Sequence, residues 1–155
     1  FQWQPDANGR PLVRVNGGKF RNVGIEAEYG RRLSDRLKWN VSGSYSNPRQ
    51  KEMNETYWKQ AAPKLQFTTG IRYESPTWEA GTSFSFVTKR LRNRDGGLNP
   101  NIALWNAYVG YHFNKDATLR LDARNLLDRH NVITNGDYEY WGDPFTYELS
   151  YTQKF

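Results

Sequence analysis

The residues most able to do chemistry in this sequence are cations and aromatic rings. Lys89-Arg90-Leu91-Arg92-Asn93-Arg94 places four cations within one short stretch, with Arg90, Arg92 and Arg94 alternating against Leu91 and Asn93. In extended chain such alternation gathers side chains on one face, where they could capture an anionic ligand. Tyr57-Trp58 and Tyr138-Glu139-Tyr140-Trp141 offer rings for stacking an aromatic or sugar ligand, or for packing one loop against another. With 0 Cys there is no disulfide, no thiolate nucleophile and no Cys-ligated metal. Nothing places His112 and His130, the 2 histidines, beside each other, so neither a metal centre nor a cofactor is expected. Serines and asparagines are plentiful enough for a Ser–His–Asn arrangement with His112, yet no serine stands in an activated context. No catalytic residue is expected.

These groups must be positioned by strands. Among 155 residues, 37% are hydrophobic and 15% aromatic, with a single Met. A ring-rich, aliphatic-poor chain is not built like an ordinary soluble domain. No stretch approaches the roughly 18–20 apolar residues of a spanning helix, and Phe1-Gln2-Trp3-Gln4-Pro5 has no signal-peptide pattern. The net charge of +6 is spread along the segments with carboxylates among it, which argues against a nucleic-acid partner.

Apolar and polar residues alternate with a period of two through most of the chain. Val23, Ile25, Ala27 and Tyr29 oppose Asn22, Gly24, Glu26 and Glu28; Leu37 to Tyr45, Leu65 to Glu74 and Trp78 to Phe86 follow the same rule. Ile102 to Phe113, Ala117 to Arg124 and Phe145 to Phe155 complete seven strands, and Phe1 to Trp3 is a stub of an eighth. Ser34-Asp35-Arg36, Ser75-Pro76-Thr77 and Asn114-Lys115-Asp116 read as tight turns. The long connections Pro48 to Ala62, Asn93 to Asn101 and Arg129 to Pro144 read as loops, the first with a helical turn between Glu52 and Ala62.

The apolar face is dominated by rings near strand ends (Trp39, Tyr73, Trp78, Phe113, Phe145, Phe155), where a membrane–water interface favours them. The other face carries Glu26, Glu28, Arg72, Arg120, Asp122, Arg124 and Glu148, which a water-filled or plugged lumen tolerates. Eleven residues at about 3.3 Å each, tilted by about 45°, span roughly 25 Å, the height of an outer-membrane apolar band. The predicted fold is therefore all-β, an antiparallel transmembrane β-barrel to which this chain supplies about seven strands. The alternative is a small self-contained β-barrel, a binding or structural module closed by an eighth strand from Arg10 to Asn16 against Phe145 to Phe155. A lipase-type barrel enzyme is a distant third.

Several motifs then carry a resemblance. Val15-Asn16-Gly17-Gly18-Lys19 runs into Asn22-Val23-Gly24-Ile25-Glu26; Leu33-Ser34-Asp35 and Ser42-Gly43-Ser44-Tyr45 follow. Arg124-Asn125-Leu126-Leu127-Asp128 closes the penultimate strand, and the last strand ends in Phe155. In this order they resemble the C-terminal portion of a TonB-dependent outer-membrane receptor, a family of 22-stranded, plugged barrels. Gln153 departs from the apolar residue usual two before the terminal Phe.

The resemblance implies that residues 1–155 are the C-terminal section of the barrel, without a plug domain, in the bacterial outer membrane. It also implies active uptake of a scarce nutrient, most often a ferric siderophore, with the tight turns periplasmic and the long loops extracellular. The partners would be membrane lipid and lipopolysaccharide, the remaining barrel strands and plug, the TonB complex through an N-terminal part, and an anionic metal chelate. Candidate ligand residues are Arg90, Arg92, Arg94, Tyr57, Trp58, Tyr138, Tyr140 and Trp141; lipopolysaccharide phosphates are the competing partner for the arginines. Asn125 and Asp128 read as strand-end and turn hydrogen bonders.

Overall fold

The computed structural model describes residues 2–4, 13–15, 18–53, 55–91, 97–133 and 140–154. The chain begins with β1 (Gln2–Gln4), β2 (Val13–Val15), β3 (Gly18–Arg21), β4 (Gly24–Arg32) and β5 (Leu37–Ser46). It continues through β6 (Arg49–Glu52), β7 (Lys59–Gln60), β8 (Leu65–Glu74), β9 (Trp78–Val87) and β10 (Arg90–Leu91). β11 (Leu98–Asn99), β12 (Ile102–His112), β13 (Ala117–Arg124) and β14 (Thr146–Gln153) end it. Strands β4, β5, β8, β9, β12, β13 and β14 form one antiparallel meander, the seven segments whose alternation is visible in the sequence.

The three tight turns close by one device. Ser34 Oγ accepts from the Leu37 N–H (3.1 Å), Ser75 Oγ from the Trp78 N–H (2.9 Å), and Asn114 Oδ1 from the Ala117 N–H (2.9 Å). A short polar side chain three residues upstream thus satisfies the donor that opens each return strand. Register follows from these turns. Tyr29, Val41, Thr69, Phe84 and Trp105 fall in one row, and Glu28, Ser42, Thr68, Ser85 and Leu104 in a row on the other face.

The ring face packs within itself. Trp78 and Tyr111 meet edge to face at 4.8 Å, Tyr111 and Phe113 at 4.9 Å, and Tyr29 and Trp39 at 5.7 Å. Its indoles are satisfied inside the sheet: Trp39 Nε1 donates to Thr69 Oγ1 (2.9 Å) and Trp105 Nε1 to Thr82 Oγ1 (2.6 Å). That places a hydroxyl where an apolar surrounding would leave an N–H unpaired. No second layer covers this face among the described residues: Ile25, Tyr147 and Leu149 are 65–75% exposed. So large a bare apolar surface marks a binding or membrane face.

Three expectations need correction. Pro48 to Ala62 is not a plain loop, because β6 and β7 pair with β3 in a three-stranded sheet. Between β6 and β7 no helix is found among the described residues, and the expected turn is a single one in which the Glu55 N–H donates to the Glu52 carbonyl at 3.1 Å. Likewise Asn93 to Asn101 contains β11, paired to β10. The closing strand of the alternative barrel does not form, since Val13–Val15 pairs with Gln2–Gln4 and β14 pairs only with β13 among the described residues. Both outer strands of the meander keep a free edge there. Gln153 sits opposite Ala117 and accepts from Tyr151 Oη at 2.7 Å.

Candidate functional site

The end of the sheet opposite the tight turns is organised by asparagines. Asn125 follows β13 with φ 51° and is 1% exposed. Its Nδ2 donates to the carbonyls of Arg129 and Asp143 (both 3.0 Å), and its Oδ1 accepts from the Arg129 N–H at 3.2 Å. Asp128, φ 46°, accepts from the Phe145 N–H at 2.9 Å. Asn and Asp tolerate this left-handed backbone better than other L-residues, so the Asn-Leu-Leu-Asp run turns the chain and ties the start of β14 to the end of β13.

Asn131 extends the clamp. Its Oδ1 accepts from the Ala103 N–H (3.3 Å) and its Nδ2 donates to the Ala103 carbonyl (3.2 Å), so the amide imitates a neighbouring strand. Beyond it Val132 bridges Trp141, Ile133 N–H donates to the Tyr140 carbonyl (2.8 Å), and His130 meets Trp141 edge-on at 6.0 Å. Arg90 crosses from the preceding loop: Nη1 donates to the Ile133 carbonyl at 3.0 Å and Nη2 to that of Val132. Its Nε is buried without a partner, and burial holds its pKa below the usual guanidinium value. Arg90 stays charged regardless, and it straps two loops together.

The predicted site residues therefore separate. Arg90 and the Tyr140-Trp141 pair share one loop cluster, with Tyr140 62% and Trp141 55% exposed. Tyr57 and Trp58 lie instead beside β7, where Arg21 stacks on Trp58 at 4.4 Å and Lys59 approaches Tyr57 at 5.5 Å. Lys59 also pairs with Glu55, and that contact holds the Glu55 carboxyl below and the Lys59 ammonium above their ordinary values. Arg92, Arg94 and Tyr138 lie outside the described residues. Sequence reading missed Asn131, whose role depends on a partner 28 residues away.

The polar face near the tight turns holds a second organised set. Arg120 donates to Asp122 (2.8 Å) and to Glu79 (2.9 Å) and stacks on Tyr108 at 3.8 Å. Two glycines make room for it. A Cβ on Gly81 would stand 2.6 Å from Tyr108, and one on Gly110 2.7 Å from Glu79 Cγ, so both side chains lie flat against bare backbone. Lys38 and Arg72 share Glu74 (3.2 and 2.7 Å), and at the loop end of the same face Arg124 faces Glu148 at 3.7 Å. His112 Nδ1 contacts Thr118 Oγ1 at 2.9 Å, with no serine between them. Each of these four cations has a carboxylate partner on the polar face.

A ring-bearing outer face, a charged inner face and free edges describe a segment of a larger barrel, and residues 1–126 match the family model described as TonB dependent receptor-like, beta-barrel. The chain belongs to that family. Its members are outer-membrane receptors and transporters, not enzymes, which work with a plug domain, TonB and a ligand. No curated protein sequence matches this chain. Among solved structures it is similar to the ferric citrate transporter FecA in the unliganded form, at 22% identity and a TM-score of 0.76, over 97% of this chain and 26% of that one. It is also similar to the closed form of the ferric-catecholate import receptor Fiu from E. coli K12, at 20% identity and a TM-score of 0.68, over 99% and 23%. The copper transporter OprC matches at 18% identity and a TM-score of 0.68, over 88% and 24%. The chain thus spans about a quarter of the receptors it resembles.

Proposed function

We propose that this chain is the C-terminal barrel wall of a TonB-dependent receptor in the bacterial outer membrane that imports an anionic metal chelate, with ferric siderophores as the first class to test. The observation that carries the reading is the bare ring face set against a polar, charge-bearing face on one open sheet. Seven strands with two free edges would leave backbone groups unpaired in lipid, at several kcal/mol each, so other strands of the same receptor complete the barrel. The cations of Lys89 to Arg94 and the exposed Tyr140 and Trp141 support an anionic, ring-bearing or sugar-like ligand at the loop end. The chain's structural relatives include receptors for ferric citrate and ferric catecholate as well as a copper transporter, which supports a metal-bearing ligand.

Arg90 is engaged by Val132 and Ile133, which leaves Arg92 and Arg94 as the cations to probe. The complete receptor carrying Arg92→Ser and Arg94→Ser should assemble normally, and its uptake of labelled ferric citrate or ferric catecholate should slow at low salt. The defect should shrink as ionic strength rises past about 0.15 M, where screening acts over about 8 Å. Uptake unchanged at low salt for every chelate tried would overturn the capture reading.

A further inference from the structure

The three-stranded sheet β3–β6–β7 carries four cations, Lys19, Arg21, Arg49 and Lys51, for which no carboxylate partner is found among the described residues. Its register places Lys19 directly opposite Lys51 and Arg21 directly opposite Arg49. Like charges directly opposite on paired strands are destabilising, and open surface would offer many ways to avoid the arrangement. Arg21 is held by the Trp58 ring and Arg49 by Asn47 Oδ1 (3.0 Å), contacts that supply no negative charge. Neither Lys19 nor Lys51 has a carboxylate partner among the described residues.

The direction these four side chains face follows from the register. The β4–β5 ladder pairs Ile25 with Tyr45, and β3–β6 pairs Arg21 with Arg49, so no residue is gained or lost between them. The intervening Asn47 N–H donates to the Val23 carbonyl at 2.8 Å, which keeps the ladder in step. Lys19, Arg21, Arg49 and Lys51 therefore share the face of Ile25, Tyr45 and the other apolar residues, away from the polar wall. Height is equally constrained. From the Leu33/Leu37 row to the Val23/Asn47 row is ten residues of strand, roughly 25 Å of rise at a tilt of about 45°, the whole apolar band. The two cationic rows come immediately above it, at the level of outer-leaflet headgroups.

We infer that Lys19, Arg21, Arg49 and Lys51 form a site for the phosphates of a membrane lipid headgroup carrying at least two of them. Each opposed pair, with Cα atoms about 5.5 Å apart in a ladder of this kind, can hold one phosphate between two cations. The rows lie about 6.6 Å apart along the strand, which suits two phosphates on one headgroup. This inference rests on reading the sheet as membrane wall, because only then does the apolar side at this height face lipid.

The test uses the complete receptor purified in neutral detergent, with bisphosphorylated lipid A, its dephosphorylated form and inorganic phosphate as probes. Native mass spectrometry should show bisphosphorylated lipid A retained by the natural protein, and binding at least tenfold weaker in the variant Lys19→Gln, Arg21→Gln, Arg49→Gln, Lys51→Gln. Without lipid, the single variant Lys51→Gln should melt at or above the natural protein, because it relieves a repulsion; with lipid A the order should reverse. Equal retention by the natural protein and the fourfold variant, or no reversal in the single one, would overturn the site. A response to inorganic phosphate as strong as that to lipid A would overturn the lipid as its occupant. A spin label at Leu149 reports on the underlying reading separately. Quenching by lipid-phase oxygen together with unaltered lipid A binding refutes the site alone, whereas quenching only by a water-soluble agent refutes the membrane wall itself.

Discussion

Charge is treated in opposite ways at the two ends of the strands. Near the tight turns, on the polar face, Arg120 is shared by Glu79 and Asp122, and Lys38 and Arg72 share Glu74. At the other end, Lys19 faces Lys51 and Arg21 faces Arg49. Both arrangements come from strand register, and both use side chains of the same types. Where these cations share carboxylates, the charges belong to the wall's own cohesion; where cation faces cation, no carboxylate partner is found among the described residues.

Breaking the compensated end gives the largest effect. Arg120→Met should destabilise the complete receptor by about 2–4 kcal/mol, because Glu79 and Asp122 lose their common partner in a half-buried setting. Urea unfolding, followed by the mobility shift of the barrel in gels, measures it. Adding Glu79→Gln should return part of the loss, and strict additivity of the two changes would show that the network is not shared. A charge reversal at the uncompensated end sharpens the contrast. Lys51→Glu turns its pair with Lys19 attractive and should stabilise the lipid-free receptor by about 0.5–1 kcal/mol in a detergent melt, where the same exchange at a compensated position would be harmful.

The smallest effect concerns a compensated pair at the cationic end, Glu55 with Lys59. Glu55 is held below its ordinary pKa by Lys59, so its contribution is present above the usual carboxylate range and is lost as pH falls through its lowered value. Acidification through that window should open the turn between β6 and β7, seen as faster proteolysis near Tyr57. Glu55→Gln should show the fast rate at every pH. A pH-dependent rate persisting in that variant would assign the titration to another group.

How much of this was legible in advance follows the range of each interaction. The seven wall strands and three tight turns were readable from alternation and from Ser34, Ser75 and Asn114, because each depends on neighbours two or three positions away. The strands inside Pro48 to Ala62 were not. Arg49-Gln50-Lys51-Glu52 has no apolar member to mark a face, and only the edge of β3 makes it extended. Arg90 read as free cation for the same reason: the carbonyls that hold it lie more than forty positions downstream.

By itself the sequence determined which residues alternate, where the chain reverses, and that one face of the long strands is apolar, with rings on most of them, while the other is polar. Those are local properties, set by the period of two and by turn chemistry. Only the tertiary structure decided which charges meet. Register carries Glu79 beside Arg120 across 41 residues, and it sets lysine against lysine where β3 meets β6. A one-residue slip in any hairpin would have sent each of these side chains to the opposite face, so their partnerships belong to the assembled sheet.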